Sequence, residues 1–249
     1  MTDELPLVGH TALITGGAKR LGRAAAEALA GAGADVCIHY RNSADEAAEL
    51  AERLRGQGRQ AWTAQCDLAD SEDVAGLLPR VIKEAGAVDI LINNASIFPE
   101  STLMDFTEDE FHKNVSVNAL APLLLGRAFA KRAQAGHIIN FLDTRIVSYD
   151  RAHAAYHLSK RMLFTLTRMM ALEFAPAIRV NAIAPGLILP PEGKTESYLE
   201  QYAHTNPMQT YGSPKDIADT VVFLLTTGFI TGQVIYVDGG RHMKGGTYG

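Results

Sequence analysis

The chain has 249 residues, is 47% hydrophobic and carries a formal net charge of −5. This length and composition fit one large α/β domain, or two small ones, with enough apolar side chains for a substantial core. The acidic balance and the lack of a basic run disfavour nucleic acid as a partner, because such binding neutralises phosphates with Lys and Arg.

The ends and the cysteines of the chain indicate its environment. No run of about 18 apolar residues is present, and the first ten residues, MTDELPLVGH, are acidic where a secretory signal is basic and then apolar. We therefore expect a cytoplasmic protein with no membrane partner. Cys37 and Cys66 lie in apolar strand-like stretches and are expected to be buried free thiols, with no metal site.

Short apolar segments alternate with longer amphipathic segments along the whole chain, beginning with TALIT and GRAAAEALAGAG and ending with QVIYVDGG. This alternation is typical of βαβ units. It predicts one α/β domain over residues 1–249, doubly wound, with about seven parallel strands and helices on both faces. Helices are expected at 156–174 and at about 213–225. The stretch 187–212 breaks the rhythm with several prolines and is predicted to be an irregular lid over a site.

The first strand runs into TGGAKRLG, residues 15–22, which precedes an alanine-rich helix. Gly16 and Gly22 let the backbone turn tightly and approach a pyrophosphate, whose charge the free N–H groups of a helix N-terminus favour. A plain strand-to-helix turn is the alternative. Arg20 stands where such turns usually carry glycine, and its guanidinium would face the phosphates or the substrate.

The second strand ends in HYRNS, which offers His39, Arg41 and Ser43 but no acid. An acidic side chain there would hold the ribose 2′-hydroxyl of NAD, whereas an arginine pairs with a 2′-phosphate. NADPH is therefore the predicted cofactor, with a solvated loop arginine as the alternative. Asp67 and Leu68 close the third strand and would border the adenine, although Asp67 is equally suited to cap the next helix.

Tyr156 and Lys160 are four residues apart in a helical segment, so their side chains lie on one face. A nearby ammonium favours the phenolate and would lower the pKa of the tyrosine toward the working pH. The pair is predicted to give and recover a proton. A surface tyrosine beside a solvated lysine is the alternative.

These motifs, with NNAS at 93–96, Asn118, the Pro-Gly pair at 185–186 and VDGG at 237–240, resemble the short-chain dehydrogenase/reductases over essentially the whole chain. The resemblance implies a Rossmann fold, commonly a homotetramer, and catalysis by Asn118, Tyr156 and Lys160, with Asn118 anchoring a water through which Lys160 relays protons. The cofactor contacts that it implies are Gly16, Lys19, Arg20, Leu21, Gly22, His39, Tyr40, Arg41, Ser43, Asp67, Leu68, Asn94, Ala95, Ser96, Tyr156, Lys160, Pro185, Gly186 and Leu187.

The serine of that family is not matched, because Asp143 holds its place. An ionised carboxylate repels the alkoxide that develops during ketone reduction, whereas a carboxyl group can protonate an imine nitrogen or hold a neighbouring N–H. An imine-containing heterocycle is therefore the predicted substrate class. Thr144 and Ser148 are alternative hydroxyl donors, although strand alternation would point Thr144 away from the face that Asp143 shares.

A closer resemblance supports the same substrate class. Arg20 in the glycine's place, HYRNS, NNASIF and Asp143 are similar to the pteridine reductases and dihydromonapterin reductases. This resemblance implies NADPH-dependent reduction of dihydropterins, with dihydrofolate and oxidised pterins as further candidates. The substrate contacts that it implies are Arg20, Ser96, Phe98, Asp143 and Tyr156, with the ring of Phe98 stacking on the pterin.

Two other functions stay open on the sequence. One is a short-chain reductase of ketone or quinone-like substrates, and the other is a regulatory protein that binds NADP(H) without turnover. The lid, including Tyr198 and Met208, matches no residue of the pterin enzymes. The final RHMKGGTYG is predicted to be an exposed tail. Arg241 and His242 are candidate site residues, because tails in this family can approach a neighbouring subunit's site.

Overall fold

Seven parallel strands form one sheet in the computed structural model, which describes residues 5–149 and 151–244. Across the sheet their order is β3-β2-β1-β4-β5-β6-β7, so the direction of winding reverses between β1 and β4. This arrangement confirms the predicted Rossmann-type fold. The strands are β1 Thr11–Thr15, β2 Asp35–Tyr40, β3 Ala61–Gln65, β4 Ile90–Asn93, β5 Gly136–Phe141, β6 Ile178–Pro185 and β7 Val234–Val237.

Helices cover both faces of this sheet. They are α1 Arg20–Gly31, α2 Ala44–Gly56, α3 Ser71–Ala85, α4 Glu108–Val115, α5 Ala121–Ala130, α6 Ala154–Glu173, α7 Glu196–Tyr202 and α8 Pro214–Thr226. Apolar side chains of α1, α2 and α8 pack on one face, and those of α3, α5 and α6 on the other. None of the helices in the described ranges is both long and apolar enough to cross a membrane.

Each strand contributes side chains to the apolar cores on both sides of the sheet, because successive side chains point to opposite faces. In β1, Ile14 packs with the first group of helices and Leu13 with the second. In β2, Ile38 and Cys37 divide in the same way. The central residues of these strands are apolar on both faces, as expected for a parallel sheet that is buried on both sides.

Both cysteines are buried free thiols, as predicted. Burial raises the pKa of Cys37 and of Cys66 to about 12, with a smaller contribution from a nearby carboxylate in each case. At neutral pH these thiols therefore stay protonated and are poor nucleophiles.

The stretch 187–212 differs from the prediction of an irregular segment, because it contains helix α7. Only Leu199 of this seven-residue helix is buried. A single buried residue leaves no apolar period to recognise in the sequence. After β7 the chain forms a 3₁₀ turn, Arg241–Met243. The rest of the predicted tail, 245–249, lies outside the described residues.

The carboxyl ends of the seven strands meet at one edge of the sheet. In open α/β sheets a ligand binds in the crevice outside these ends, where the winding reverses. Here that crevice lies beyond β1 and β4. The glycine turn follows β1, the segment with Ser96 and Phe98 follows β4, and Asp143 follows β5.

Candidate active site

The turn between β1 and α1 is built for close backbone approach. Gly16 has a φ of +61°, a region that side chains disfavour. At Gly22 a Cβ would lie 2.1 Å from the carbonyl oxygen of Gly16, so a larger residue would not fit. The Asn94 amide donates to the carbonyls of Thr15 and Gly16, at 2.9 and 3.0 Å. Asn94 therefore braces this turn against β4.

His39 stabilises the same turn from the second strand. Its Nδ1 accepts the backbone N–H of Gly16 at 3.0 Å, and its Nε2 donates to the carbonyl of Cys66 at 3.0 Å. Burial lowers the pKa of His39, so the ring is neutral. Because both ring nitrogens have protein partners, His39 positions the turn. The predicted contact of His39 with the cofactor stays a prediction, since the residue also lines the cavity beside this turn.

A cavity of about 390 Å³ opens beside the glycine turn. It is lined by most of the predicted cofactor residues and by two apolar residues, Ile97 and Val117, that were not among the predicted contacts. Among the predicted contacts, Tyr40 packs against the apolar core instead, and Ser43 is the N-cap of α2. The predicted residues that line the cavity are Gly16, Lys19, Arg20, Leu21, Gly22, His39, Arg41, Asp67, Leu68, Asn94, Ala95 and Ser96.

A second cavity, of about 680 Å³, lies beneath the lid. Leu187 borders this cavity together with lid residues and the end of the last strand. Pro185 ends β6, and Gly186 packs so closely on Asp238 that a Cβ would lie 2.5 Å from the Cβ of Asp238. Residues 185–187, which were predicted to contact the cofactor, therefore connect the edge of the sheet to the lid.

The first cavity fits a dinucleotide on two observations. Within the described ranges, no side chain caps the N-terminus of α1 and its first turn holds no acidic residue, which leaves N–H groups for an anion such as a pyrophosphate. Asp67 is not the cap of α3, because Asp70 accepts the N–H groups of Glu72 and Asp73. The remaining interpretation of Asp67 is that it borders the adenine of the cofactor.

Arg20 adopts a backbone conformation that glycine prefers, with a φ of +53°. This explains why related turns carry glycine at this place. Its guanidinium donates to the carbonyl of Pro190 at 2.7 Å and so connects the turn to the lid. The protein alone shows this bond to Pro190, and the contact of Arg20 with phosphates or substrate stays a prediction.

Asp143 and Tyr156 form the centre of the site. The Tyr156 hydroxyl donates to Oδ2 of Asp143 at 3.0 Å. Oδ1 of the same carboxylate accepts the N–H of Arg145 at 2.7 Å and caps a 3₁₀ turn, Thr144–Val147. Two fixed bonds therefore hold the carboxylate in one orientation beside the tyrosine.

The electrostatics of this pair differ from the prediction. Burial, followed by the charge of Asp143, raises the pKa of Tyr156 well above its ordinary value. The expected lowering of this pKa by Lys160 is wrong for the protein alone, because burial and the Asp143 carboxylate both raise it. Nζ of Lys160 lies 5.8 Å from the centre of the tyrosine ring. Tyr156 is therefore a firmly protonated hydrogen-bond donor.

Lys160 lies buried below the tyrosine. Its Nζ donates to the carbonyl of Phe141 at 2.7 Å. Burial lowers the pKa of Lys160 to about 8, against an opposing effect of the Asp143 charge. The lysine is thus charged at neutral pH, but close to the point where it loses its proton.

Neither alternative hydroxyl replaces the absent serine. Thr144 is buried and donates its hydroxyl to Asp238. The reason given from strand alternation was wrong, because β5 already ends at Phe141 and Thr144 lies in the turn after Asp143. Ser148 is exposed at the far end of that turn.

Asn118 lies in a single π turn, Ser116–Leu120, between α4 and α5. Its Oδ1 accepts from the N–H of Ile97 at 2.9 Å and from Oγ of Ser96 at 3.2 Å. Its Nδ2 donates to the Ile97 carbonyl and to Oγ of Ser159, both at 3.0 Å. The side chain therefore holds the segment after β4 against α6, and the predicted water at Asn118 stays a prediction.

Phe98 lies at the tyrosine. Its ring stacks on His153 with centroids 3.9 Å apart, and meets Tyr156 nearly at right angles with centroids 4.5 Å apart. The Phe98 side chain is 47% exposed, so it is available to a ligand. Sequence reasoning missed His153, although its place three residues before Tyr156 on a helical face was a usable signal.

The segment that carries Phe98 is fastened to the start of α6. The N–H of Ser101 donates to the carbonyl of Ala152 at 2.7 Å, and the N–H of Ala154 donates back to the Ser101 carbonyl at 2.9 Å. The aromatic ring and the tyrosine hydroxyl are thereby held in a fixed relation.

Comparison with known proteins assigns this fold and site to a family. The family model described as enoyl-(acyl carrier protein) reductase matches residues 16–242. The chain is 31% identical to the 3-oxoacyl-[acyl-carrier-protein] reductase FabG of Staphylococcus epidermidis, over 95% of this chain and 100% of that protein. It is 33% identical to versicolorin reductase 1 of Aspergillus parasiticus, over 96% and 99%. The chain belongs to the short-chain dehydrogenase/reductase family.

Two solved structures are also similar to this chain. FolM alternative dihydrofolate reductase 1 from Brucella canis, complexed with NADP, has a TM-score of 0.90 and 34% identity, with 98% of each chain covered. The angucycline C-6 ketoreductase LanV with bound NADP has a TM-score of 0.88 and 30% identity, with 96% of this chain and 97% of that chain covered. The predicted cofactor agrees with the NADP in both structures.

Proposed function

We propose that this protein is an NADPH-dependent reductase that acts on a C=N bond of a dihydropterin. The observation that carries the proposal is the carboxylate of Asp143, 3.0 Å from the Tyr156 hydroxyl, where ketone-reducing relatives need a neutral donor. A carboxylate is suited to the N–H groups of a heterocycle and unsuited to a developing alkoxide. The likeness to a FolM alternative dihydrofolate reductase supports the same substrate class.

The residues beside the first cavity would hold the cofactor. The N–H groups at the start of α1 would bind its pyrophosphate, and exposed Arg41 would pair with a 2′-phosphate. Asp67 and Leu68 would border the adenine. The cofactor, when bound, supplies the hydride.

The proton that the reduction requires is held by the pair of Tyr156 and Asp143. Reducing a C=N bond places a hydride on carbon and a proton on nitrogen, so the site must hold a proton near the ring nitrogen. The raised pKa of Tyr156 keeps that proton on its hydroxyl until an acceptor arrives. When a heterocycle displaces the tyrosine from Oδ2, Asp143 can accept a ring or amino N–H and orient the substrate.

Phe98 and Lys160 complete the arrangement. The exposed ring of Phe98 offers a flat apolar surface on which a pterin can stack. The buried ammonium of Lys160 adds positive charge below Tyr156, which favours the phenolate left after proton donation.

The experiment follows NADPH oxidation at saturating NADPH with dihydrobiopterin, dihydromonapterin and dihydrofolate, beside a panel of ketones. We expect turnover on at least one dihydropterin and tight inhibition by methotrexate. Turnover on ketones alone, without inhibition, would contradict the proposal.

Ketone reduction is the second candidate, and the likeness to FabG and to LanV favours it. In that role Asp143 would have to be protonated, so that it donates to the substrate oxygen. A kcat/KM on a 3-oxoacyl thioester that exceeds the value on every dihydropterin would support this candidate. NADPH binding without turnover on any substrate would instead indicate the regulatory alternative.

A further inference from the structure

Arg241 is a half-buried cation for which the described residues supply no side-chain partner. Its side chain forms no hydrogen bond, ion pair or cation–π contact within residues 5–149 and 151–244. A guanidinium has five N–H donors, and covering a charge without pairing it costs free energy. Such a group near the proposed substrate site is suited to an acceptor on a ligand.

Hydrogen bonds fix the turn of Arg241 against the catalytic loop. The Asp238 carboxylate accepts the Thr144 hydroxyl on one side. On the other it accepts the N–H groups of Gly240 and His242, at 2.9 and 2.7 Å. Thr144 directly follows Asp143, so Arg241 is held close to the catalytic carboxylate.

The same turn is fixed to the lid. Nζ of Lys244 donates to the carbonyl of His204 at 2.7 Å, and the N–H of Met208 donates to the carbonyl of Gly239 at 3.3 Å. Arg241 therefore lies between the lid and the loop of Asp143.

The charges around Arg241 leave it unneutralised. Burial, followed by the positive charge of Arg145, lowers the pKa of Arg241, against the opposing charges of Asp143 and Asp238. Both oxygens of Asp143 have other partners, as do both oxygens of Asp238. Two guanidinium groups thus lie near each other at the rim of the site, and neither carboxylate forms an ion pair with Arg241.

We propose that Arg241 binds an anionic group on the side chain of the substrate. The inference rests on the proposed pterin reduction and deepens it, because it selects dihydropterins whose tail carries a carboxylate or a phosphate. The planar fork of an arginine suits both groups, since each offers two oxygens in matching geometry. The ring would lie at Phe98 and Asp143, and its charged tail would extend toward the lid.

Three substrates with the same ring test this subsite. Dihydrobiopterin has no anionic tail, dihydrofolate carries carboxylates, and dihydroneopterin phosphate carries a phosphate. For Arg241→Gln we expect KM for an anionic substrate to rise about tenfold, which corresponds to about 1.4 kcal/mol, with kcat nearly unchanged. KM for dihydrobiopterin should stay the same. A loss confined to dihydrofolate assigns a carboxylate, and a loss confined to the phosphate ester assigns a phosphate.

The control variant is Arg132→Gln, since Arg132 is an exposed arginine that follows α5. It should leave all three KM values unchanged, and Arg241→Lys should fall between the wild type and Arg241→Gln because an ammonium lacks the fork. If Arg241→Gln does not fold, Arg241→Lys carries the test alone.

Binding supplies a readout apart from turnover. By calorimetry, the NADP-loaded Arg241→Gln enzyme should lose affinity for methotrexate but keep it for 2,4-diamino-6-methylpteridine, which has no acidic tail. Equal effects on tailed and tailless ligands, or none on either, would overturn the subsite while leaving pterin reduction intact. A wild-type enzyme that reduces no dihydropterin would instead refute the proposed function, and the subsite with it.

Discussion

The Tyr156 hydroxyl donates to Oδ2 of Asp143 across 3.0 Å, so the proton donor of this site is bonded to an anion before any substrate arrives. The carboxylate is itself oriented by the N–H of Arg145. A substrate that uses the tyrosine must therefore replace this bond, and one that also gives Asp143 a new N–H partner does so at the lowest cost.

Asp143→Ser should convert the substrate preference. A serine can still cap the following turn, but it cannot hold ring N–H groups as a carboxylate does. We expect dihydropterin turnover to fall by about a hundredfold or more, with activity on simple ketones kept or gained. Parallel kcat/KM measurements on both substrate classes provide the check, with Asp143→Asn as the control that keeps the size of the side chain. Full pterin activity in Asp143→Ser would remove the role assigned to the carboxylate.

Arg41→Asp should separate the two nicotinamide cofactors. Arg41 is exposed beside the first cavity, where its charge would meet a 2′-phosphate. Reversing that charge should raise KM for NADPH by roughly 10- to 100-fold and change KM for NADH little. Arg41→Lys, which keeps the charge but loses the fork, should show a smaller rise. Equal changes for NADPH and NADH would contradict the phosphate contact.

Lys160→Met should inactivate the enzyme and stabilise it. Burial lowers the pKa of Lys160 to about 8, so keeping this lysine charged at pH 7 costs roughly 3 kcal/mol relative to the unfolded chain. Removing its bond to the Phe141 carbonyl costs about 1 kcal/mol in return. We expect a net gain of about 2 kcal/mol in the free energy of unfolding at pH 7, measured by urea denaturation.

The pH dependence of that gain follows from the direction of the shift. The folded protein releases the Lys160 proton near pH 8, whereas the unfolded chain keeps it until about pH 10.4. The cost is therefore complete below pH 8 and disappears as the pH rises toward 10. Denaturation at pH 7 and pH 10 should show the stability difference between variant and wild type closing, and a constant difference would contradict this origin.

Arg20→Gly and Arg20→Ala should separate backbone strain from side-chain contact. Both variants lose the bond to the Pro190 carbonyl, but only glycine is comfortable at a φ of +53°. Arg20→Gly should therefore be more stable than Arg20→Ala by about 1 kcal/mol in thermal or urea unfolding. Both should raise KM for NADPH alike, and a variant pair of equal stability would show that the strain is relieved elsewhere.

The parts of the site that local sequence patterns predicted are those whose chemistry needs only neighbouring residues. Gly16 and Gly22 are required by the turn itself, and Tyr156 and Lys160 share a helix face. The alternation of apolar segments predicted the strands for the same reason, because side-chain periodicity is a local property.

The remaining parts depend on contacts between distant segments. The bonds of His39 to Gly16 and to Cys66 could not be predicted, because they arise only in the folded sheet. The raised pKa of Tyr156 likewise follows from its burial and then from the charge of Asp143, which accepts its hydroxyl. Which charged groups surround a buried side chain depends on the tertiary structure, and the spacing of residues along the sequence does not predict it.

The two backbone bonds between Ser101 and the start of α6 have a consequence for changing this protein's specificity. A loop grafted after β4 from a relative would bring its own aromatic residue, but would have to keep the backbone register that pairs with Ala152 and Ala154. The loop and the first turn of the catalytic helix behave as one exchangeable unit. Chimeras should therefore carry the loop after β4 and the first turn of α6 together. A graft of either segment alone would separate Phe98, on which the pterin ring is proposed to stack, from the Tyr156 hydroxyl that is proposed to protonate it.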